Sequence, residues 1–489
     1  MARINRRNFT LRLAAGAGLG ATLPSSAQES AKDGAKASSR THSRTAGNLT
    51  GKTFQESARE IPVKGNFDVV VCGAGPAGFA AALAAARQGV RVGLLEVNGC
   101  AGGIWTAGLL SWILDAKNKS GIMAELIAKL AESGRGRLAG NAIVYEPDAM
   151  KLLLEQMLIE AGVRLRLHTR VVGAIPNASN RLELVLTESK SGREAWTGTT
   201  FIDATGDGDL AAQAGCGFDF GRSGDGITQP FSLLALLTGV KTDEIAPFIN
   251  HVAESRKLGT GKGNLLAEFR RAGIDPSYGG PSIFEIHDGL YAMMANHQYN
   301  VSAIDTDDVT RATLEARLEN HRLIDALRKL GGVWKGLEIV ATAEHIGTRE
   351  GRRIHGRYQV KAEDLRDGAR FDDSICKVFF GIDVHATDPK ATKGIEEKPF
   401  KSKPYEVPLR ALLARDVNGL MLAGRCISGD FIAHSSYRVT GDSVAMGEAA
   451  GLTSALACKN RVLPHEVPFA ALQELLPKAT AKNPNQPST

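Results

Sequence analysis

The strongest pattern in the chain is an unbroken apolar run, Val69 to Cys72, of the kind found in a strand buried on both faces. Gly73, Gly75 and Gly78 follow it, enclosing Pro76 and Ala77. Gly73 allows a tight turn, Gly75 lets backbone approach a pyrophosphate, and Gly78 lets the next helix pack closely on the strand. A helix is expected from Ala77 to Gln88, made almost wholly of small residues and ended by Gly89. A second apolar run, Val90 to Leu95, delivers Glu96.

Strand, glycine turn, helix, strand and acid together make a dinucleotide-binding unit. The helix N-terminus offers free N–H groups to phosphate oxygens. Glu96 is placed to accept from a ribose hydroxyl, which favours FAD or NAD over NADP. A second glycine-rich stretch, from Gly99 to Leu110 and including Gly102, Gly103 and Thr106, would let backbone lie along a long cofactor.

Beyond it, Ile122 to Leu130 reads as an amphipathic helix. Pro147 opens another, which runs to Ala161 before Gly162. Strand-like runs at Arg164–His168, Val171–Ala174, Leu182–Leu186 and Thr199–Ile202 suggest a meander ending in Asp203-Ala204-Thr205-Gly206-Asp207-Gly208-Asp209. Residues 230–335 read mostly helical, with a charged helix from Ala312 to Lys329. Residues 336–414 mix strands and loops, and 387–404 is a Lys/Pro-rich surface loop. Gly419 to Gly424 returns to the buried-strand-then-glycine pattern. A last helix, Asp442 to Ala457, carries Gly447, Ala449, Ala450 and Gly451 on close-packing faces.

At 489 residues the chain holds roughly two to three domain-sized units. Its net charge is +6. Four arginines and no acids lie in residues 1–27, and the small remaining excess gives no reason to expect nucleic acid. The six cysteines are dispersed, without a CxxC, so neither a metal site nor a disulfide framework is indicated. Asn5-Arg6-Arg7-Asn8-Phe9, a weakly apolar stretch and Ser25-Ser26-Ala27 read as a twin-arginine export signal over 1–27, with export machinery as a partner and a periplasmic or secreted destination. Residues 28–60 read as a disordered linker. No stretch reaches the ~18 apolar residues of a membrane span.

The N-terminal unit, Asp203-Ala204-Thr205-Gly206 and Leu422-Ala423-Gly424-Arg425 together resemble the two-dinucleotide-binding-domain flavoproteins of the glutathione reductase type. More closely, the chain is similar to the bacterial FAD-dependent oxidoreductases. The likeness covers about residues 66–460. It rests on Gly102 to Leu109, Ile346 to Tyr358, Ala423 to Ser428, Ala433 to Arg438 and Met446 to Gly451. The run Arg349-Glu350-Gly351-Arg352-Arg353-Ile354-His355-Gly356-Arg357-Tyr358 is its most specific piece. Val360-Lys361 departs from the Leu-Thr common there.

The resemblance implies an α/β fold: a Rossmann-like FAD-binding domain (66–229 plus 415–460) with an inserted α+β cap domain (230–414), then a tail over 461–489. It implies FAD, held by Gly73, Gly75, Pro76, Ala77, Gly78, Glu96, Gly102, Gly103, Thr106, Val171, Ala204, Thr205, Gly206, Gly424, Arg425, Asp430 and Arg438. A helix N-terminus near residue 441 would stabilise negative charge at the flavin N1/O2 edge.

For chemistry, His434 is the candidate base, against a structural histidine bonded to backbone. His287, His297 and His345 are weaker candidates. Arg349, Arg352 and Arg353 are candidates for binding an anionic substrate, with Arg349 and Arg353 foremost; the alternative is an ion-pair cluster with Glu338, Glu344 or Glu350. Cys100 sits where related flavoproteins can attach flavin covalently, although a buried thiol is the simpler reading. Asp207 and Asp209 are expected to cap the helix starting near Leu210. The activity expected is hydride transfer from a small organic substrate to flavin N5. Without a second GxGxxG, the acceptor is expected to be oxygen, a quinone or a redox protein. The alternatives are a non-redox flavoenzyme or an electron-transfer subunit.

Overall fold

The computed structural model describes residues 47–250 and 260–477. The export signal, residues 28–46 of the linker and the last residues of the tail lie outside them. Gly47–Thr50 and Thr53–Glu56 pair as an antiparallel hairpin with every residue exposed, so the linker expectation does not hold for this piece.

In the larger unit, β1 (Val63–Cys72), α1 (Pro76–Arg87) and β2 (Val92–Leu95) form the expected parallel βαβ. Helices α2 (Gly121–Glu132) and α3 (Pro147–Glu160) follow. Then come β3 (Arg164–Arg166), β4 (Arg170–Pro176), β5 (Leu182–Ser189) and β6 (Gly192–Asp203). Only β4, β5 and β6 make a meander; β3 instead joins the far edge of the sheet, parallel to β2. A parallel strand needs a crossover, and α3 supplies it.

The second sheet corrects the mostly helical reading of 230–335. It contains β7 (Ala235–Thr238), β8 (Ser282–His287), β9 (Leu290–Met294) and β10 (Glu338–Thr342), antiparallel in the order β8-β9-β7-β10. Helices α4 (Thr260–Arg271) and α5 (Thr306–Leu330) accompany it. Leu265 and Phe269 of α4 and Leu323, Ile324 and Leu327 of α5 share a core with Leu237, Ile283 and Met293 of the sheet. β8 and β9 are short, and their apolar runs lack clean alternation because both faces are partly covered.

The chain then returns. β11 (Leu420–Leu422) adds to β6 in parallel, completing a seven-stranded sheet of order β3-β2-β1-β6-β5-β4 with β11 on β6. Helices α6 (Phe431–Tyr437) and α7 (Thr440–Asn460) follow. A Cβ at Gly447 would lie 2.0 Å from the Ala77 carbonyl oxygen, and one at Gly451 2.2 Å from that of Ala81. The two small-residue helices α1 and α7 therefore pack backbone to backbone over one face of the sheet. Residues 461–477 are more than a tail: Phe469–Leu475 is helical and buries Leu472 in the main core.

Candidate functional site

Register decides where the site lies. Cys72 pairs with Leu95 and with Asp203, and Asp203 pairs with Leu422. Four parallel strands therefore end in one row, and the residues that follow them are Gly73, Glu96, Ala204 and Ala423. All four line a cavity of about 470 Å3 at the carboxyl edge of the sheet, where α/β folds bind ligands.

The glycine turn has two functions that its residues divide. Gly73 adopts φ +94°, and a Cβ there would lie 2.4 Å from the Ala204 carbonyl oxygen. At Gly78 a Cβ would overlap the Gly73 carbonyl oxygen, at 1.8 Å, so this glycine serves packing and does not line the cavity. At Gly75 a Cβ would meet no protein atom within 4 Å, yet Gly75 lines the cavity. The space beside it is kept for something other than protein. Gly75 is also the N-cap of α1 and makes no side-chain cap, with Pro76 opening the helix. Val439 caps α7 without a side-chain bond either, and Val439, Thr440 and Ser443 line the cavity. Two helix N-termini thus face one cavity with their N–H groups uncapped by side chains.

Glu96 is buried, and its carboxylate clasps the turn. One oxygen accepts from the Ala74 N–H at 2.6 Å, and the other from the Asn98 N–H and amide, both at 2.7 Å. A carboxylate has about four acceptor sites, so room remains for a ribose hydroxyl. Gly103 lies with its Cβ position 3.0 Å from the Gly75 Cα and lines the cavity. Gly102 and Thr106 do not; Thr106 is buried and donates to the Ala101 carbonyl at 2.6 Å. Cys100 lies beside Thr106 and is absent from the cavity wall, which gives no support to a covalent link.

Val171, Thr205, Gly206, Gly424, Arg425 and Arg438 line the cavity. The Arg425 guanidinium crosses over Gly206 to reach Asp207 at 2.7 Å and Thr348 at 2.6 Å. Asp209 pairs with Arg352 at 2.8 Å, and Gly208 is the N-cap of the helix that follows, so the two aspartates are arginine partners and not caps. Asp115, Lys119 and Asp442 form a buried ion-pair group at the start of α7, each contact 2.8 Å.

Asp430 does not reach the cavity. It is the N-cap of α6, accepting from the Ala433 N–H at 2.7 Å, and it also accepts from the Ala362 N–H at 2.6 Å. His434 is not the base the sequence suggests. Its position on α6 turns it into the core against Tyr437, away from the cavity, and burial followed by the charges of Arg353, Arg438 and Arg425 holds its pKa well below the ordinary value.

The arginines of the 349–353 run separate. Arg353 is buried in an ion pair with Glu350 and donates to the Gly429 and Gly221 carbonyls, a structural role outside the cavity. Arg349 is buried and lines the cavity, where it donates to the Pro230 carbonyl at 2.7 Å and the Ser232 hydroxyl at 2.9 Å. Among the described residues no carboxylate comes within ion-pair distance of it, although the Asp383 charge acts on it from further off. Burial, and then the Arg438 guanidinium, push its pKa down to about 10.

The sequence reading missed the groups beside it. Asp383 and His385 line the cavity, 3.4 Å apart. Arg438 reaches the Asp383 carbonyl at 2.8 Å and its carboxylate at 3.4 Å. Burial opposes ionisation of Asp383, but His385, Arg438 and Arg349 together hold its pKa well below the usual carboxylate range. His385 meets His297, and the Tyr278 ring packs on both. His345 also lines the cavity; burial and then Arg425 hold it at about 4. His287 is exposed and outside it. Tyr278 lies about a hundred residues from Asp383 and His385, and those two lie in a stretch without regular structure, where no periodicity marks them.

Residues 68–476 match the sequence model of the "FAD dependent oxidoreductase" family. The chain belongs to that family. It is an FAD-dependent oxidoreductase, and its bare helix termini, open Gly75 face and Glu96 fit the cofactor. A search of curated proteins gives no match. Among solved structures, the oxidoreductase is similar to a geranylgeranyl bacteriochlorophyll reductase-like protein from Thermoplasma acidophilum. Identity is 13%, over 84% of this chain and 82% of that one, with TM-score 0.41. The myxobacterial chondrochloren halogenase CndH matches at 14% over 84% of this chain and 78% of that one, TM-score 0.44. The flavin-dependent brominase Bmp2 matches at 14% over 84% and 83%, TM-score 0.43.

Proposed function

We propose that this flavoenzyme is an exported dehydrogenase or oxidase that takes hydride from a small organic anion and passes the electrons to oxygen, a quinone or a redox protein. The observation that carries this reading is Arg349: a buried guanidinium on the cavity wall that donates to a carbonyl and a hydroxyl and, among the described residues, has no carboxylate in ion-pair reach. A buried cation of this kind is costly unless an anion joins it. Arg438, half-buried on the same wall, would share that anion. FAD, when bound, supplies the hydride acceptor at its N5.

The chain's own residues supply the rest. Gly75 and the start of α1 would hold the pyrophosphate, Glu96 a ribose, and the start of α7 the flavin's pyrimidine edge. Trp112, Leu234, Phe284 and Met294 give the cavity an apolar wall that excludes water. The proton leaving the substrate goes to His385, beside the Asp383 carboxylate, in place of His434. The return of β11 to β6 and the second sheet between them support a glutathione reductase-type arrangement with a cap. The Arg6-Arg7 segment supports export of the folded, loaded protein, and among the described residues no helix is long and apolar enough to cross a membrane.

The test is anaerobic mixing of the FAD-loaded protein with a panel of hydroxy and amino carboxylates and their uncharged amides. The expected result is loss of the flavin absorbance with an anion and not with its amide. Equal loss with both would overturn the anion assignment. Turnover without loss would favour the hydratase or isomerase reading, and neither response an electron-transfer subunit.

A further inference from the structure

Behind the cavity wall, four side chains form a line. Asp383 Oδ2 lies 3.4 Å from His385 Nε2; His385 Nδ1 lies 2.9 Å from His297 Nε2; His297 Nδ1 lies 3.1 Å from the Tyr299 oxygen. The Tyr299 oxygen lies 3.2 Å from the Ser277 carbonyl, to which its hydroxyl can donate. Asp383 and His385 line the cavity, His297 is buried, and Tyr299 is half-buried and outside the cavity wall.

The hydrogens on this line can be counted. Its four contacts each need one. Two neutral imidazoles bring one N–H apiece and the tyrosine brings one O–H. Three hydrogens cannot fill four contacts. If Tyr299 donates to Ser277, both rings must carry hydrogen on Nδ1, and His385 Nε2 then faces the Asp383 carboxylate with a bare lone pair. If His385 instead donates to Asp383, the vacancy moves to the Tyr299 end. One added proton fills every contact.

We propose that Asp383, His385, His297 and Tyr299 are a proton line that takes the substrate's proton from the cavity and carries it away from the reacting carbon. This rests on the cavity being the place of oxidation. The bond that breaks is the substrate's heteroatom–hydrogen bond; its electron pair stays on the heteroatom and the proton goes to His385 Nε2. Hydrogen passes from His385 Nδ1 to His297 Nε2, and from His297 Nδ1 to the Tyr299 oxygen. The tyrosine's own hydrogen leaves to water.

The charges around the line suit a load that arrives with the substrate. Arg349, Arg438 and Lys262 face it from the cavity side, with Tyr278 against both rings and Glu319 near Tyr299. Burial first, and Arg349 next, push His385 down to about 3, so the line is one hydrogen short at neutral pH. An anion on Arg349 cancels the second cause and makes the line more basic when it is needed.

The experiment is 15N NMR of histidine-labelled, FAD-loaded protein at neutral pH without substrate, the two rings assigned through His385→Asn and His297→Asn. Tyr299→Phe removes two contacts and leaves two N–H groups for the two that remain. The expected result is that both rings, mixed between tautomers in the parent, settle with hydrogen on Nε2 in Tyr299→Phe. His297→Asn should shift His385 the same way. Unchanged ring nitrogens in Tyr299→Phe, or a change in one ring alone, would overturn the line. Because no substrate is added, that failure is separable from failure of the anion reading.

Discussion

The two walls of the cavity are built on opposite principles. The wall at the carboxyl edge of the seven-stranded sheet is largely backbone: glycines and helix ends, with the Glu96 carboxylate already bonded to the turn it supports. The wall toward the second sheet is side chain: Arg349 and His385, both buried, with Arg438 and Asp383, both half-buried, incompletely matched to one another. A cofactor common to a family can be held by atoms every residue possesses. A particular substrate needs particular charges, and those cost stability until it binds. The backbone wall should therefore fail by steric overlap and the charged wall by chemistry.

The largest effect should come from Gly78→Val. Its side chain would overlap the Gly73 carbonyl oxygen, and a loss of more than ~4 kcal/mol, with no FAD retained, is expected in thermal unfolding and flavin-content measurements. Arg349→Met should do the reverse. The melting temperature holds or rises because an unpaired buried charge is gone, while kcat/KM for the anionic substrate falls by ~100-fold or more. An unchanged kcat/KM would remove Arg349 from the substrate site.

Glu96→Ala should weaken FAD binding by ~30-fold in fluorescence titration, through the ribose contact and the loosened turn. Unchanged affinity would sink the ribose role. Gly75→Ala sharpens the contrast with Gly78. Its φ of −64° suits alanine and its Cβ meets no protein atom, so unfolding should shift by under ~1 kcal/mol, while FAD affinity drops by about tenfold.

The last effect shows only as a slope, which vanishes at neutral pH. His385 is held at about 3 against an ordinary 6.5, so on acidification the unfolded chain binds its proton first. That contribution to stability is whole above pH 6.5 and drains as pH falls toward about 3, by up to ~1.4 kcal/mol per pH unit. His385→Asn should flatten this acid limb in urea unfolding measured across pH. An unaltered limb would show that the histidine is not held neutral.

Legibility in the sequence followed the range of the interactions. The βαβ unit was readable because its turn, packing and phosphate cradle are local. The body of α5, Ala312 to Lys329, was readable, as were α2 and α3, but its start at Thr306 was not. The position of β3 was not, because Arg164–Arg166 is equally a meander strand until its partner is known. β8 and β9 were lost because coverage on both faces removes the alternation that marks a strand. Arg353 sits in the most specific stretch of the chain and His434 in another that carries the resemblance, yet helix phase and the Glu350 pair bury both away from the cavity.

What the sequence determined by itself was the family's cofactor and the row of strand ends that meets it. Glycine spacing and a terminal acid are enforced by sterics within about thirty residues. What the tertiary structure decided was which charges face the substrate. Arg349 lines the cavity without a carboxylate in ion-pair reach, and Asp383, His385, His297 and Tyr299 fall into line, only because segments distant in the chain meet at this cavity. Charge pairing depends on distance in space, which spacing along the chain does not encode.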